Sequence, residues 1–221
     1  MVDYDQFAHT FSKSRKDHPW PELDAIIADM KAEWYLSVLD IGCGNGRLLE
    51  ELGKEDSRLQ STDRKSRYLG IDNSIGMIEE ARRLHLEYQF ELCEMTEILD
   101  SRLQSWKYDA ILFLASFHHL ETREARLQVL SDVRSLLTSW GRIYMTNWNL
   151  RDQPKYEKSH RWDGDYDIKI WAYSRYYHGF SVEELGELFM ETGYEIAMNR
   201  VWEGGRNIVS ILYADDTDYL L

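Results

Sequence analysis

Residues 37–53 read SVLDIGCGNGRLLEELG. A short apolar run, Val38-Leu39-Asp40-Ile41, has the length of a buried strand. It turns through Gly42-Cys43-Gly44-Asn45-Gly46 and continues as a helical pattern of Leu48, Leu49 and Leu52. Glycine permits positive φ and leaves no Cβ between the backbone and a ligand, so a strand, a glycine turn and a helix start together make a nucleotide-binding corner. The spacing is Gly-x-Gly-x-Gly with Asp40 ahead of it, not the Gly-x-Gly-x-x-Gly of dinucleotide binders. A tighter turn preceded by a carboxylate suits a ligand that carries an amine and no pyrophosphate. Further on, Tyr68-Leu69-Gly70-Ile71 reads as a second strand ending at Asp72, where an acidic side chain can accept hydrogen bonds from a ribose.

The elements that must hold this corner alternate along the chain. Pro21 opens a helix over 21–33 whose Leu23, Ile26, Ile27 and Met30 recur at helical spacing. Strand 37–41 and helix 46–53 follow, then a charged loop over 54–67. Strand 68–71 leads to helix 75–86, strand 88–93, the apolar strand 108–114, helix 122–137 and strand 141–147. The run over 108–114 is mostly apolar and does not alternate, as expected when both faces of a sheet are covered. Residues 149–178 show no clean period and read as a polar-aromatic insertion. Ser181-x-x-Glu184 is a capping box opening helix 181–192, and 194–201 with 208–214 reads as a closing hairpin. The pattern predicts an α/β fold of one domain over 1–221. Its sheet has seven strands, six parallel and one antiparallel, with helices on both faces. Segments 1–20 and 149–178 are expected above the carboxyl ends of the strands, where open α/β sheets bind ligands.

Composition narrows the function classes. No apolar run approaches the roughly 20 residues needed to span a bilayer, and Met-Val-Asp-Tyr-Asp lacks the basic and apolar parts of a secretory signal. The two cysteines, Cys43 and Cys93, lack CxxC spacing, so no metal site is expected and a cytoplasmic setting is. The formal charge of −13 opposes a broad, unaided grip on phosphate backbones.

The corner resembles motif I of the class I S-adenosylmethionine (SAM) methyltransferases, a Rossmann-like fold. That resemblance implies that Asp40, Gly42, Gly44, Asn45 and Gly46 line the amino-acid end of SAM. It also implies that Asp72 takes the ribose hydroxyls, that Asn73, Met77, Glu94 and Met95 surround the adenine, and that Leu114, Ala115 and Phe117 close the pocket. Three further pieces, YDQFAHTFSKSR with HPWP at 4–21, SFHHLETREAR at 116–126 and SRYYHGFSVEEL at 174–185, are similar to the tRNA wobble-uridine methyltransferases that esterify 5-carboxymethyluridine. Trp148 matches a tryptophan of that family, whereas 54–67 and much of 150–170 depart from it. The resemblance implies tRNA as a partner, a small activator protein as a second one, and Tyr4, Phe11 and Arg15 at the cofactor. A carboxylate with a pKa near 4 is already a nucleophile at neutral pH and needs only a cationic clamp to align it. Arg15, Arg175, His119 and His178 are the candidate clamps, with Arg15 alternatively closing over the SAM carboxylate. Trp148, Tyr176 or Tyr177 would stack a flipped base, and Lys155, Lys158, Arg161 and Lys169 are candidate backbone contacts. Methylation of a free small molecule, or SAM binding without catalysis, are the competing readings.

Overall fold

A computed structural model describes residues 20–33, 37–55, 67–100, 102–170 and 173–214. The expectations placed on Tyr4, Phe11 and Arg15 lie outside the described residues. The strands of the main sheet are β1 (Ser37–Ile41), β2 (Arg67–Asp72), β3 (Gln89–Leu92), β4 (Tyr108–Leu114), β5 (Leu137–Trp148), β8 (Tyr194–Val201) and β9 (Asn207–Ala214). They run in the order β3-β2-β1-β4-β5-β9-β8. β9 is antiparallel to both β5 and β8, while β1 pairs in parallel with β2 and β4, as β2 does with β3 and β4 with β5. The sheet therefore has six parallel strands and one antiparallel, as the alternation predicts. Strand order reverses between β1 and β4, and a crevice must open there at the carboxyl ends.

Alternation along the strands sends side chains to two cores. Leu39, Ile41, Ile71, Ile111, Phe113 and Met145 pack on one face with helices α4 (Arg123–Arg134) and α5 (Val182–Glu191). Val38, Tyr68, Ala110, Leu112, Tyr144 and Ile211 pack on the other with α1 (Pro21–Ala32), α2 (Arg47–Glu55) and α3 (Ile75–Leu84). All seven residues of β4 are buried, which is why it carries no polar alternation. The fifth strand begins four residues before the predicted 141, because Leu137 already pairs with Tyr108. The preceding helix accordingly ends at Arg134 and not at 137.

The insertion over 149–178 is more ordered than its sequence suggested. β6 (Asp165–Ile170) and β7 (Tyr173–His178) form an antiparallel hairpin separate from the main sheet, with Tyr166 opposite Tyr177 and Ile168 opposite Arg175. Leu150, Tyr166, Ile168 and Tyr177 make a small core of their own, joined by Trp148 and Tyr156. The hairpin is tied to the body by a charged network. His178, 4% exposed, has Nδ1 at 2.8 Å from Asp165 Oδ1 and Nε2 at 2.7 Å from Glu184 Oε1. Buried Arg126 donates to the Leu120 and Glu121 carbonyls and to Tyr176 Oη. The capping box is thus half realised. Ser181 Oγ accepts the Glu184 N–H at 3.1 Å, but the Glu184 carboxylate turns toward His178.

Candidate active site

Gly42 sits at φ +75° and Gly46 at φ +77°. A Cβ on Gly42 would lie 2.4 Å from Ser116 Cβ, so the loop after β1 and the loop after β4 meet at a distance only glycine allows. Ser116 Oγ donates to the Ile41 carbonyl at 2.6 Å and fixes that approach. A Cβ on Gly46 would instead collide with His85 and Phe90, on the side of α3 and β3. The Gly44 N–H donates to Asp72 Oδ2 at 2.9 Å. The turn's three glycines therefore serve different ends, and of them only Gly42 lines the cavity described next.

One cavity of about 440 Å³ opens at the carboxyl ends of β1, β2 and β4, within the range of ligand sites. Carboxylates and cations line different stretches of it, although Glu22, bonded to Asn207, and Arg47, next to the glycine turn, also reach it. Asp40, Asp72 and Glu94 line it near the glycine turn, with Asn45, Asn73, Met77 and Met95 beside them. Asp40 is 2% exposed and accepts from Tyr68 Oη at 2.7 Å through Oδ2, while its Oδ1 has no hydrogen-bond partner among the described residues. Burial pushes its carboxyl up to about 7, against the Tyr68 hydrogen bond and with help from Asp72. Asp72 is also raised by burial, although the N–H groups of Ser74 and Gly44 oppose the shift. Each Asp72 oxygen spends one lone-pair site on those groups and keeps another for hydroxyl donors. Glu94 accepts from Asn73 Nδ2 at 3.0 Å. A buried orphan oxygen at Asp40 calls for a cation or a donor. With Asp72 beside it, this half fits a ligand with an ammonium group and a ribose, which SAM is.

The opposite half is cationic and aromatic. Arg175 and Tyr177 from β7, His118 and His119 from the turn after β4, Trp148 from the end of β5, Lys155 and Arg206 all line it. Arg175 stands 5.8 Å over the Tyr177 ring, and burial lowers its guanidinium to about 10. A half-buried cation at a cavity wall favours an anionic ligand. Trp148 lies nearly parallel to Tyr177, with ring centres 4.9 Å apart, and to Tyr156 at 6.1 Å. Trp148 is therefore already a member of a protein stack, and the three rings form an aromatic wall.

Several sequence candidates fall elsewhere. His178 does not line the cavity; its two carboxylate partners make it part of the network that anchors the hairpin. Tyr176 likewise turns away to Asp165 and the Glu121 carbonyl. Residues on one strand alternate faces, so Arg175 and Tyr177 point to the cavity while Tyr176 and His178 point to the body. Phe117 is fully buried against Phe113 and Phe180 and supports the wall without reaching the cavity, unlike Leu114 and Ala115. Of the candidate backbone contacts, Lys155 reaches the cavity, whereas Arg161 pairs with Asp167 at 3.4 Å. Burial lowers the His119 ring to about 4, which favours its neutral form over a cationic clamp. Sequence reasoning missed Gln153, Tyr156, Arg206 and Asn207 at the rim. Gly204 and Gly205 marked the β8–β9 turn beside Arg206 but said nothing of where it projects.

Residues 39–143 match the profile of a family described as a methyltransferase domain. Residues 39–143 carry an S-adenosylmethionine-dependent methyltransferase domain of the class I fold. It is 28% identical over 156 residues to a tRNA (carboxymethyluridine(34)-5-O)-methyltransferase of Xenopus tropicalis, covering 71% of this chain and 22% of that protein. A protein of the same name from Schizosaccharomyces pombe is 26% identical over 220 residues, with 87% of each chain covered. The chain thus spans about a fifth of the animal relative and most of the fungal one. Among solved structures, an S-adenosylmethionine-dependent methyltransferase from Clostridium acetobutylicum superposes with a TM-score of 0.71 at 14% identity. It covers 96% of this chain and 98% of that one, a likeness of fold. SAM is the cofactor, and Asp40, Asp72 and Glu94 are the side chains whose chemistry fits it.

Proposed function

We propose that this methyltransferase esterifies a carboxylate on a modified tRNA wobble uridine of the 5-carboxymethyluridine type. The observation that carries the reading is one cavity with carboxylates near the glycine turn and, across from them, the half-buried Arg175 beside an aromatic wall. When bound, SAM supplies the methyl group and leaves as a neutral thioether. The chain's own residues position the acceptor. Arg175 holds one carboxylate oxygen by charge-assisted hydrogen bonding, the Tyr156–Trp148–Tyr177 stack bounds the space for the base, and Lys155 and Arg206 meet phosphate at the rim. An ionised carboxylate gives up no proton on methylation, so the acceptor asks for no general base. Arg15 is assigned either to the acceptor carboxylate or to that of SAM, and a small activator protein would add the positive charge that tRNA binding asks of so acidic a chain.

The charge of −13 favours a second reading, methylation of a free small carboxylic acid in the same half-cavity. Incubation with labelled SAM and either bulk tRNA or a metabolite extract separates the two. The proposal expects label in tRNA that mild alkali releases, as from an ester, and tRNA affinity that falls steeply with salt. Label confined to the small-molecule fraction would replace the first reading with the second.

A further inference from the structure

Adjacent His118 and His119 are held as opposite tautomers. His118 Nδ1 accepts the Trp148 N–H at 3.3 Å, which leaves the proton of the neutral ring on Nε2. His119 Nδ1 lies 3.0 Å from the Tyr176 carbonyl. A carbonyl only accepts, so His119 carries its proton on Nδ1 and presents a lone pair at Nε2. Burial, which lowers this ring to about 4, keeps it neutral at physiological pH. The ring is fixed edge-on against His118 and Tyr177, each 4.5 Å away. Among the described residues Nε2 has no hydrogen-bond partner, yet it is not one of the sealed, unsatisfied polar atoms, and His119 lines the cavity.

The cationic side chains of this half, Arg175, Lys155 and Arg206, present only donors. An acceptor lone pair in their midst repels a carboxylate and selects an N–H or O–H. We propose that His119 is a specificity-determining residue whose Nε2 accepts the N3–H of the uracil ring, while Arg175 takes the carboxylate on its 5-substituent. The assignment rests on the carboxylate reading above and adds the ring edge that is read. Uracil offers a donor at N3, where cytosine offers an acceptor, so the same lone pair that holds the first repels the second.

The test uses two anticodon stem-loops, one bearing 5-carboxymethyluridine and one 5-carboxymethylcytidine at the wobble position. They are assayed with wild type, His119→Ala and His119→Gln, with cofactor affinity measured by calorimetry for each protein. Wild type is expected to favour the uridine in kcat/KM by about tenfold or more, the worth of one buried hydrogen bond. Gln presents either an oxygen or an amino group, so in His119→Gln, as in His119→Ala, the ratio should fall to within about threefold. Cofactor Kd should stay within about twofold in all three, which a merely structural role would not guarantee. A second observable needs no variant. The ¹⁵N resonance of wild-type His119 Nε2 should have the shift of an unprotonated nitrogen and should move on binding of the uridine stem-loop but not of the cytidine one. Equal methylation of both stem-loops by wild type, or a preference that survives both substitutions, overturns the His119 assignment and leaves the carboxylate reading standing. Methylation of neither by wild type overturns both.

Discussion

Asp40 carries the most quantitative consequence of the structure. Its carboxyl moves from 3.8 to about 7 because the fold buries it with one oxygen unpaired. The folded state therefore binds a proton more tightly than the unfolded chain does. The stability that goes with this is fully present below about pH 4 and is lost as pH rises to about 7, where the loss levels off. A shift of roughly three units corresponds to about 4 kcal/mol at most, and water entering the open cavity reduces it. Asp40→Asn keeps the shape and an acceptor for Tyr68 but carries no charge. It is expected to match wild type near pH 4, to gain progressively up to pH 7 and to hold a constant advantage above it. In a chain of this size each kcal/mol moves the midpoint by about 2–4 °C, so a gain of several degrees at pH 8.5 is expected in calorimetric melts. The same variant should bind SAM more weakly, because the cation that would draw the Asp40 charge into use has lost its partner. An Asn variant less stable than wild type at every pH would refute the reasoning and make the Asp40 charge structural.

Arg175→Ala should lower turnover by at least about 100-fold, the order expected on losing a positioning charge, while calorimetric SAM affinity stays within about twofold; loss of SAM binding would move Arg175 to the cofactor half. Gly42→Ala must adopt φ near +75° and push Cβ to 2.4 Å from Ser116, so a loss of more than about 2 kcal/mol is expected in denaturant melts. His178→Ala leaves Asp165 and Glu184 facing each other. In the native fold burial raises both carboxyls, but the hydrogen bonds and charge of His178 and its neighbours outweigh it and hold them below the usual range. Wild-type stability from this pair is present above about pH 4 and lost as pH falls through it. The variant should lose about 3 kcal/mol at pH 7 and less at pH 3, an outcome that urea melts at the two pH values would read.

The glycine corner and the strand ends were legible because their physics is local. Asp40, Asp72 and Glu94 each lie within two residues of a strand end, and parallel strands bring such positions to one edge of the sheet. The β6–β7 hairpin was less legible, although Asp165-Tyr166-Asp167-Ile168-Lys169-Ile170 alternates strictly. Its apolar face is covered by a core only a few side chains wide, and the surrounding polar residues drowned the period. The same alternation would have separated Arg175 from His178. Their types suggested a shared role, but three residues along a strand is an odd step and places them on opposite faces. The tautomers of His118 and His119 could not be read at all, since each is set by a backbone group distant in sequence, Trp148 N–H and the Tyr176 carbonyl.

The central claim is that the cationic half of the cavity exists to take a carboxylate. It is tested most directly with two anticodon stem-loops that differ only at the wobble uridine, one bearing a 5-carboxymethyl group and the other the isosteric 5-carbamoylmethyl group. Single-turnover transfer from SAM, read by nucleoside mass spectrometry, should add one methyl to the carboxymethyl side chain and none to the amide. Transfer to both, or to a position other than that carboxylate, would contradict the account.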